Sequence, residues 1–406
     1  MAPKYRATLV WLHRWTGLVM AGFLILEGAT GALLAFRVPL ERVCAPQLFA
    51  APRPGVAPLG LGELAERAQR RLPDARIAYF WLEDRRAILR VVPRPDAATG
   101  EPRRVGFDHV FLDPWTGAEL GRRQEGDLSE GAINLVPFIY ALHMNLAAGE
   151  GGMLVLGIVA LAWTLDCLVG FYLTLPVTRT RMLRRWAPAW RLKSSASTVR
   201  VHFDLHRAGG LWLWPLLFVF GWSSVMFNLP QVYAPVTRAL FDFQDDMDAP
   251  RQFHLHRNPA PRLTWTQAQR AGEALLAGEA QRRGFTLNRP YGMAYIEDWG
   301  IYTYTAASSA DVQAHAWSTS VSIDGDSGAW IATELPRGQH AGNTLGTWLR
   351  ALHFADLHDA PWYRVAVAVL GVVTVVLSVT GICIWNAKRR ARAWASDRRR
   401  SHPAIG

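Results

Sequence analysis

Four histidines of the chain occupy matching places and have the chemistry of metal ligands. His13 and His206 follow a leucine and precede an arginine at the start of two apolar stretches, and His143 and His353 close two Ala-Leu-His triplets just before two others. Neutral imidazole is an axial ligand of haem iron, and facing helices of a bundle can place two imidazoles on opposite faces of one ring. The four positions therefore predict two bis-histidine haem sites. A non-haem metal site and ordinary packing are the alternatives.

Five other residues are candidates for supporting roles at these sites. Arg14 and Arg207 directly follow two of the histidines and are candidates to neutralise haem propionates. His202 lies one helical turn before His206, as a supporting residue or an alternative ligand. Glu27 and Asp166 are acids inside apolar stretches, where a proton path, a quinol contact, a propionate partner and a simple buried hydrogen bond are all open. No Cys-x-x-Cys-His motif occurs, so the predicted cofactors are two non-covalent b haems.

The elements that must position the histidines are four apolar stretches. About 20 apolar residues in a helix cross a bilayer. The stretches at 9–36, 153–175, 209–229 and 365–385 meet that length, which predicts an integral membrane protein with four transmembrane helices.

The charge distribution predicts the orientation of these helices. The net charge is +11, and segments 1–8, 177–201 and 386–406 together hold 16 of the 44 Lys and Arg and one of the 33 Asp and Glu, a sum of +15 that leaves −4 elsewhere. By the positive-inside rule, both termini and the 177–204 loop are predicted to be cytoplasmic. Since the positive charge marks topology and the lipid surface, a nucleic-acid partner is not expected. Depth then pairs His13 with His206 on the cytoplasmic side and His143 with His353 on the outer side.

The two halves of the chain repeat one pattern, which predicts a duplicated unit. The Asp-containing turn at 113–117 lies 30 residues before His143, and a similar turn at 324–328 lies 29 residues before His353. Each long connection is predicted to be a small periplasmic α+β domain. The predicted helices are 61–72 and 266–284, and the predicted strands are 77–82, 87–92, 105–112, 292–297, 301–305 and 316–323.

Several of these segments resemble the bacterial PepSY-associated transmembrane proteins. The segments concerned are Leu-His-Arg-Trp-Thr-Gly (12–17), Phe-Leu-Asp-Pro-Trp-Thr-Gly (111–117), Ala-Leu-His-Met-Asn-Leu (141–146) and Asp-Leu-His-Arg-Ala-Gly-Gly-Leu-Trp (204–212). The resemblance implies an inner-membrane dihaem protein that reduces ferric siderophores, with two PepSY-like domains in the periplasm. The implied haem ligands are His13, His143, His206 and His353.

The predicted boundaries follow from the spans and this resemblance. Transmembrane helices and cytoplasmic segments are predicted at 1–36, 133–176, 177–204, 205–229, 346–386 and 387–406, with the 133–176 and 346–386 segments each including a short helix on the periplasmic side. The PepSY-like domains are predicted at 37–132 and 230–345.

The electron donor has to come from outside the chain. No Gly-rich dinucleotide motif follows a predicted strand, so quinol or a cytoplasmic reductase is the expected donor, and a ferric siderophore the expected acceptor. The main alternative is a non-redox membrane protein whose outer domains bind or regulate a periplasmic partner. A transporter is a further alternative, although four spans are few for a solute pathway.

Overall fold

The computed structural model describes residues 3–96, 98–178, 180–193, 197–244, 255–315, 319–358 and 360–401. The chain forms two compact units. The membrane unit comprises residues 1–35, 140–233 and 362–406, and the sheet unit comprises residues 36–139 and 234–361. The predicted loop 177–204, tail 387–406 and outer segment 230–345 each include residues outside the described ones.

The helices and strands are numbered in chain order. The helices are α1 Pro3–Leu34, α2 Arg37–Cys44, α3 Leu61–Arg70, α4 Leu135–Asn145, α5 Gly149–Thr174, α6 Met182–Trp186, α7 Thr198–Asn228, α8 Pro230–Leu240, α9 Trp265–Arg283, α10 Ala341–His353 and α11 Tyr363–Ser401. The strands are β1 Ala75–Glu83, β2 Arg86–Pro93, β3 His109–Leu112, β4 Glu119–Arg123, β5 Leu287–Ile296, β6 Ile301–Ser308, β7 Ser320–Asp324 and β8 Trp330–Glu334.

Four helices of the membrane unit, α1, α5, α7 and α11, are long and apolar enough to cross a bilayer. This confirms the four predicted spans. Their apolar side chains remain exposed on the unit's surface, as for Val19 (71%), Ile158 (57%) and Val372 (56%), which is how lipid-facing residues of a membrane helix behave. α1 packs on α11 through glycines: a Cβ added to Gly28 would lie 2.6 Å from the carbonyl oxygen of Gly371. Small residues permit this close approach of two membrane helices.

The sheet unit contains one antiparallel sheet in the order β4-β3-β2-β1-β5-β6-β7-β8. Each outer segment contributes four strands, and the two sets join where β1 pairs with β5, with Phe80 opposite Met293. α3 and α9 cover one face and form the main hydrophobic core with it. α3 and α9 also touch closely, since a Cβ on Gly62 would lie 2.5 Å from the Cα of Thr266.

The predicted strands have counterparts in the sheet, with shifted ends. The strand predicted at 105–112 is shorter and starts at His109, and the strand predicted at 316–323 corresponds to β7, with residues 316–318 outside the described ones. Two strands, β4 and β8, were not predicted, because both are short edge strands with several polar residues. The two Asp turns have the local role that their residues favour. Asp113 accepts from the backbone N–H groups of Trp115 and Thr116, as Asp324 does from two backbone N–H groups of its own turn.

A buried arginine–glutamate cluster ties α2 to the sheet. Arg86, which is fully buried, donates to Glu41 of α2 and to Glu83 of β1, and Arg37 also donates to Glu83. Arg123 completes the cluster by donating to Glu41 at 3.1 Å. Burial by itself would raise the pKa of Glu83, but Arg37 and Arg86 outweigh it and lower the pKa to about 2. The carboxylates are therefore ionised at neutral pH, and removing either leaves Arg37, Arg86 and Arg123 to share a single carboxylate.

Candidate functional site

Three of the four predicted ligand histidines lie in the membrane unit, and two of them face each other. His13 is on α1 and His206 is on α7, with their ring centroids 6.1 Å apart and their planes tilted by 57°. The two residues predicted to form a pair are therefore neighbours in the structure. His143 lies on α4, also in the membrane unit.

The His13 ring is held by a carboxylate and lies over a glycine of α5. Its Nδ1–H donates to both side-chain oxygens of Asp166, each at 2.9 Å. One turn further along α5, a Cβ added to Gly170 would lie 3.4 Å from Cε1 of the ring. A larger residue at this position would press on the imidazole, so the glycine makes room for it.

The His206 ring has the same kind of seat on α11, with a different acceptor. Its Nδ1–H donates to the backbone carbonyl of Leu377 at 2.9 Å, and the Thr380 hydroxyl lies 3.4 Å from the same nitrogen. The glycine four residues after Leu377 is Gly381, whose added Cβ would lie 3.4 Å from Cε1 of His206. The acceptor and the glycine again lie four residues apart.

The His143 ring rests on α1 in the same way. Its Nδ1 lies 2.9 Å from Oγ1 of Thr30 and 3.0 Å from Oε2 of Glu27. Because the Thr30 hydroxyl donates to the carbonyl of Leu26 at 2.7 Å, its oxygen is available to accept from the ring. Gly31, four residues after Glu27, is the closest of the three glycines, at 3.1 Å from Cε1. We call this arrangement of an acceptor and a glycine four residues later an imidazole cradle.

The cradles determine which nitrogen of each ring can bind a metal. An acceptor on Nδ1 fixes the proton there and leaves Nε2 with its lone pair, as in histidines that ligate metals. Metal–imidazole bonds of about 2 Å, with each nitrogen about 1 Å from its ring centre, separate two opposed ring centres by about 6 Å. His13 and His206 are 6.1 Å apart by the same measure. The donor set and spacing fit a bis-imidazole iron centre such as a b haem.

The supporting residues predicted from the sequence have mixed outcomes. Glu27 and Asp166 each contact a predicted ligand. Arg207 donates to Asp204 at 2.8 Å and to the carbonyl of Pro188 at 3.0 Å, so its guanidinium already has partners in the protein, although its buried Nε has none among the described residues. For Arg14 and His202, the described part of the chain contains no hydrogen bond or ion pair, and their propionate and ligand roles stay predictions.

The predicted outer pair, His143 and His353, stays a prediction. His353 is the last residue of α10 in the sheet unit, and its ring packs edge-on against Phe354, with centroids 6.0 Å apart. His143 belongs to the other unit. The pairing of His143 with His353 therefore rests on the sequence pattern.

A second group of potential metal ligands lies in the sheet unit and has another explanation. Among the described residues, Asp108, His109 and Glu125 bring ligand atoms within 4.8 Å of one another. Arg90 already donates to Asp108 at 2.6 Å, and the Nδ1–H of His109 donates to the same carboxylate at 2.8 Å. An arginine at the centre makes this an ion-pair cluster, because its charge opposes a bound cation.

Two parts of the cradles were missed in the sequence. The carbonyl of Leu377 has no sequence signature, since every residue carries one. Thr30 is a buried polar residue three positions after Glu27, and this spacing was a signal that it shares the same helix face.

The chain was compared with protein-family models and with curated proteins. The family model of the PepSY-associated TM region matches residues 10–388, which is nearly the whole chain. No curated protein matches the chain.

Proposed function

The chain belongs to the PepSY-associated transmembrane family, and from this premise we propose that it is a dihaem b electron-transfer protein of the bacterial inner membrane. It takes electrons from quinol or a cytoplasmic reductase and delivers them to the periplasmic side. The proposed acceptor is a ferric siderophore, and the enzyme is then a ferric-siderophore reductase.

The neighbouring rings of His13 and His206 are the observation that carries the proposal. Both Nδ1 atoms are engaged, by Asp166 and by the carbonyl of Leu377, and the ring centroids are 6.1 Å apart. Two packing histidines have no need of matching acceptors, of glycines under both rings, or of a separation suited to a metal between them. His143 in its own cradle supports a second site of the same kind.

The protein's residues have definite tasks in this proposal. His13 and His206 hold one iron, and His143 and His353 hold the other. When bound, b haems pass single electrons across the membrane, and the protein supplies ligands and surroundings that tune their potentials. The cradles are built on helices that are long and apolar enough to cross a bilayer.

The acceptor chemistry explains why reduction releases iron. Siderophores bind Fe(III) through hard oxygen ligands, and the less charged, softer Fe(II) is held more weakly by such ligands. One electron delivered to the bound Fe(III) yields Fe(II) and the free chelator.

The test is the optical spectrum and haem content of the full-length protein purified in detergent. We expect a b-type Soret band that shifts on reduction with dithionite and two haems per chain. His143→Ala is expected to remove one low-spin haem and keep the other. His256→Ala is the control, since His256 is an exposed histidine of the sheet unit, and both haems should remain.

The activity follows in a second assay. The dithionite-reduced protein, freed of excess reductant, is mixed with a ferric hydroxamate in the presence of a chromogenic Fe(II) chelator. Reoxidation of the haem together with formation of the Fe(II) complex supports the proposal. A protein that stays colourless after incubation with haem, with all four His→Ala variants folding normally, points to the non-redox role of binding a periplasmic partner.

A further inference from the structure

We propose that Asp166 and Glu27 are positioning residues that lower the reduction potentials of the two haem irons by acting through His13 and His143. This inference rests on the proposed function, because it concerns how the ligands of that site are tuned. It gives the two membrane acids a single role, in place of the several that the sequence left open.

The two rings of the His13–His206 pair differ in the acceptor that binds their Nδ1–H group. Both rings lie in cradles with acceptor distances of 2.9 Å, but one acceptor is the Asp166 carboxylate and the other is the neutral carbonyl of Leu377. A carboxylate that accepts from Nδ1–H draws the proton toward itself and raises the basicity of Nε2. A more basic ligand favours Fe(III), which carries one more positive charge than Fe(II), so the potential falls.

The charge of Asp166 acts in the same direction. The side chain of Asp166 is 10% exposed, and the described part of the chain gives it no arginine or lysine partner. A negative charge that is poorly screened and close to the iron stabilises the more positive oxidation state. The carbonyl of Leu377 has only a dipole, so the two cradles differ by a full charge.

Glu27 has the corresponding position at His143. Its Oε2 lies 3.0 Å from Nδ1 of His143, and its side chain is 20% exposed. Oε1 of the same carboxylate is buried and has no hydrogen-bond partner among the described residues. An acid inside a membrane helix is costly, and a function in tuning His143 accounts for its presence.

The experiment is a spectroelectrochemical titration of the full-length haem-loaded protein and two isosteric variants. Asp166→Asn and Glu27→Gln replace the carboxyl group with an amide and keep the side-chain shape. We expect each variant to raise the potential of one haem component and leave the other unchanged, and the two variants to move different components. The expected change is at least tenfold in the equilibrium constant for reduction, or 59 mV for one electron. Cys167→Ala is the matched control, because it alters the residue next to Asp166 without touching the cradle.

Three outcomes decide the inference. Shifts of separate components, with the haem content intact and an altered low-spin electron paramagnetic resonance signal, support it. Unchanged potentials in variants that keep both haems overturn it while leaving the proposed function standing. If Asp166→Asn loses its haem, Asp166→Glu is titrated instead, because it keeps a carboxyl group. Its reduction potential must lie within 59 mV of the wild-type value. A larger rise overturns the role of the carboxyl group. A wild-type protein without a b-type spectrum refutes the proposed function instead.

Discussion

Because His13 and His206 are assigned to one iron, their alanine variants should not add. The two ring centroids are 6.1 Å apart, a separation at which both imidazoles can bind the same metal ion. If both imidazoles hold the same iron, the loss of either one abolishes the low-spin haem at that site. The loss of the second imidazole then removes no further low-spin haem. The low-spin haem content should fall from two per chain to one in His13→Ala, in His206→Ala and in the double variant alike. His13→Ala combined with His143→Ala should leave none.

The assay is low-spin haem per chain, from the near-infrared or paramagnetic resonance signal together with pyridine haemochrome and protein determination. Size-exclusion profiles show that each variant is folded before it is compared. The predicted pattern is that the losses of low-spin haem caused by His13→Ala and His206→Ala do not add. The losses caused by His13→Ala and His143→Ala should add. If the His13/His206 double variant loses both low-spin haems while each single variant loses one, the two histidines serve different irons and the assignment is wrong.

Three further predictions concern packing and charge. Gly170→Val should reduce low-spin haem content because the added atoms press on His13, while Gly22→Val, which has open space around its Cβ position, should not. Glu83→Gln should destabilise the sheet unit by about 3–5 kcal/mol because Arg37, Arg86 and Arg123 then share the single carboxylate of Glu41; a lower melting temperature of the full-length protein in detergent tests this, with the exposed Asp74→Asn as control. Since the pKa of Glu83 is lowered from 4.5 to about 2, its contribution is complete above the unfolded pKa and disappears as the pH falls from about 4.5 to 2. Melting curves across this range should therefore converge for wild type and Glu83→Gln, and a constant difference would show that Glu83 is not the titrating group.

The membrane helices were predictable because lipid demands continuous apolar sequence. The ends of the helices were less predictable: α7 begins at Thr198, seven residues before the predicted start at 205, since a helix continues past the apolar stretch as long as its backbone bonds are satisfied. The pairing of β1 with β5 was not predictable, because it joins residues such as Phe80 and Met293 that are distant in sequence and have no local signal. The edge strand β4 is largely charged, so its alternation is weak.

In the candidate site, the side chains were predictable from the sequence and the backbone acceptor was not. Histidines and acids inside apolar stretches are conspicuous, and the sequence identified His13, His206, Glu27 and Asp166 from their types and places. The contacts among them depend on helix rotation, which periodicity alone does not set. The carbonyl of Leu377 could only be found from coordinates, because its role comes from its position four residues before Gly381.

The measurement that tests the central claim most directly is the oxidised and dithionite-reduced spectrum of the purified full-length protein, with its haem content. The account predicts a low-spin b-type spectrum with two haems per chain, of which one depends jointly on His13 and His206. A folded protein that binds no haem, or that keeps both low-spin haems when His13 and His206 are replaced together, would contradict it.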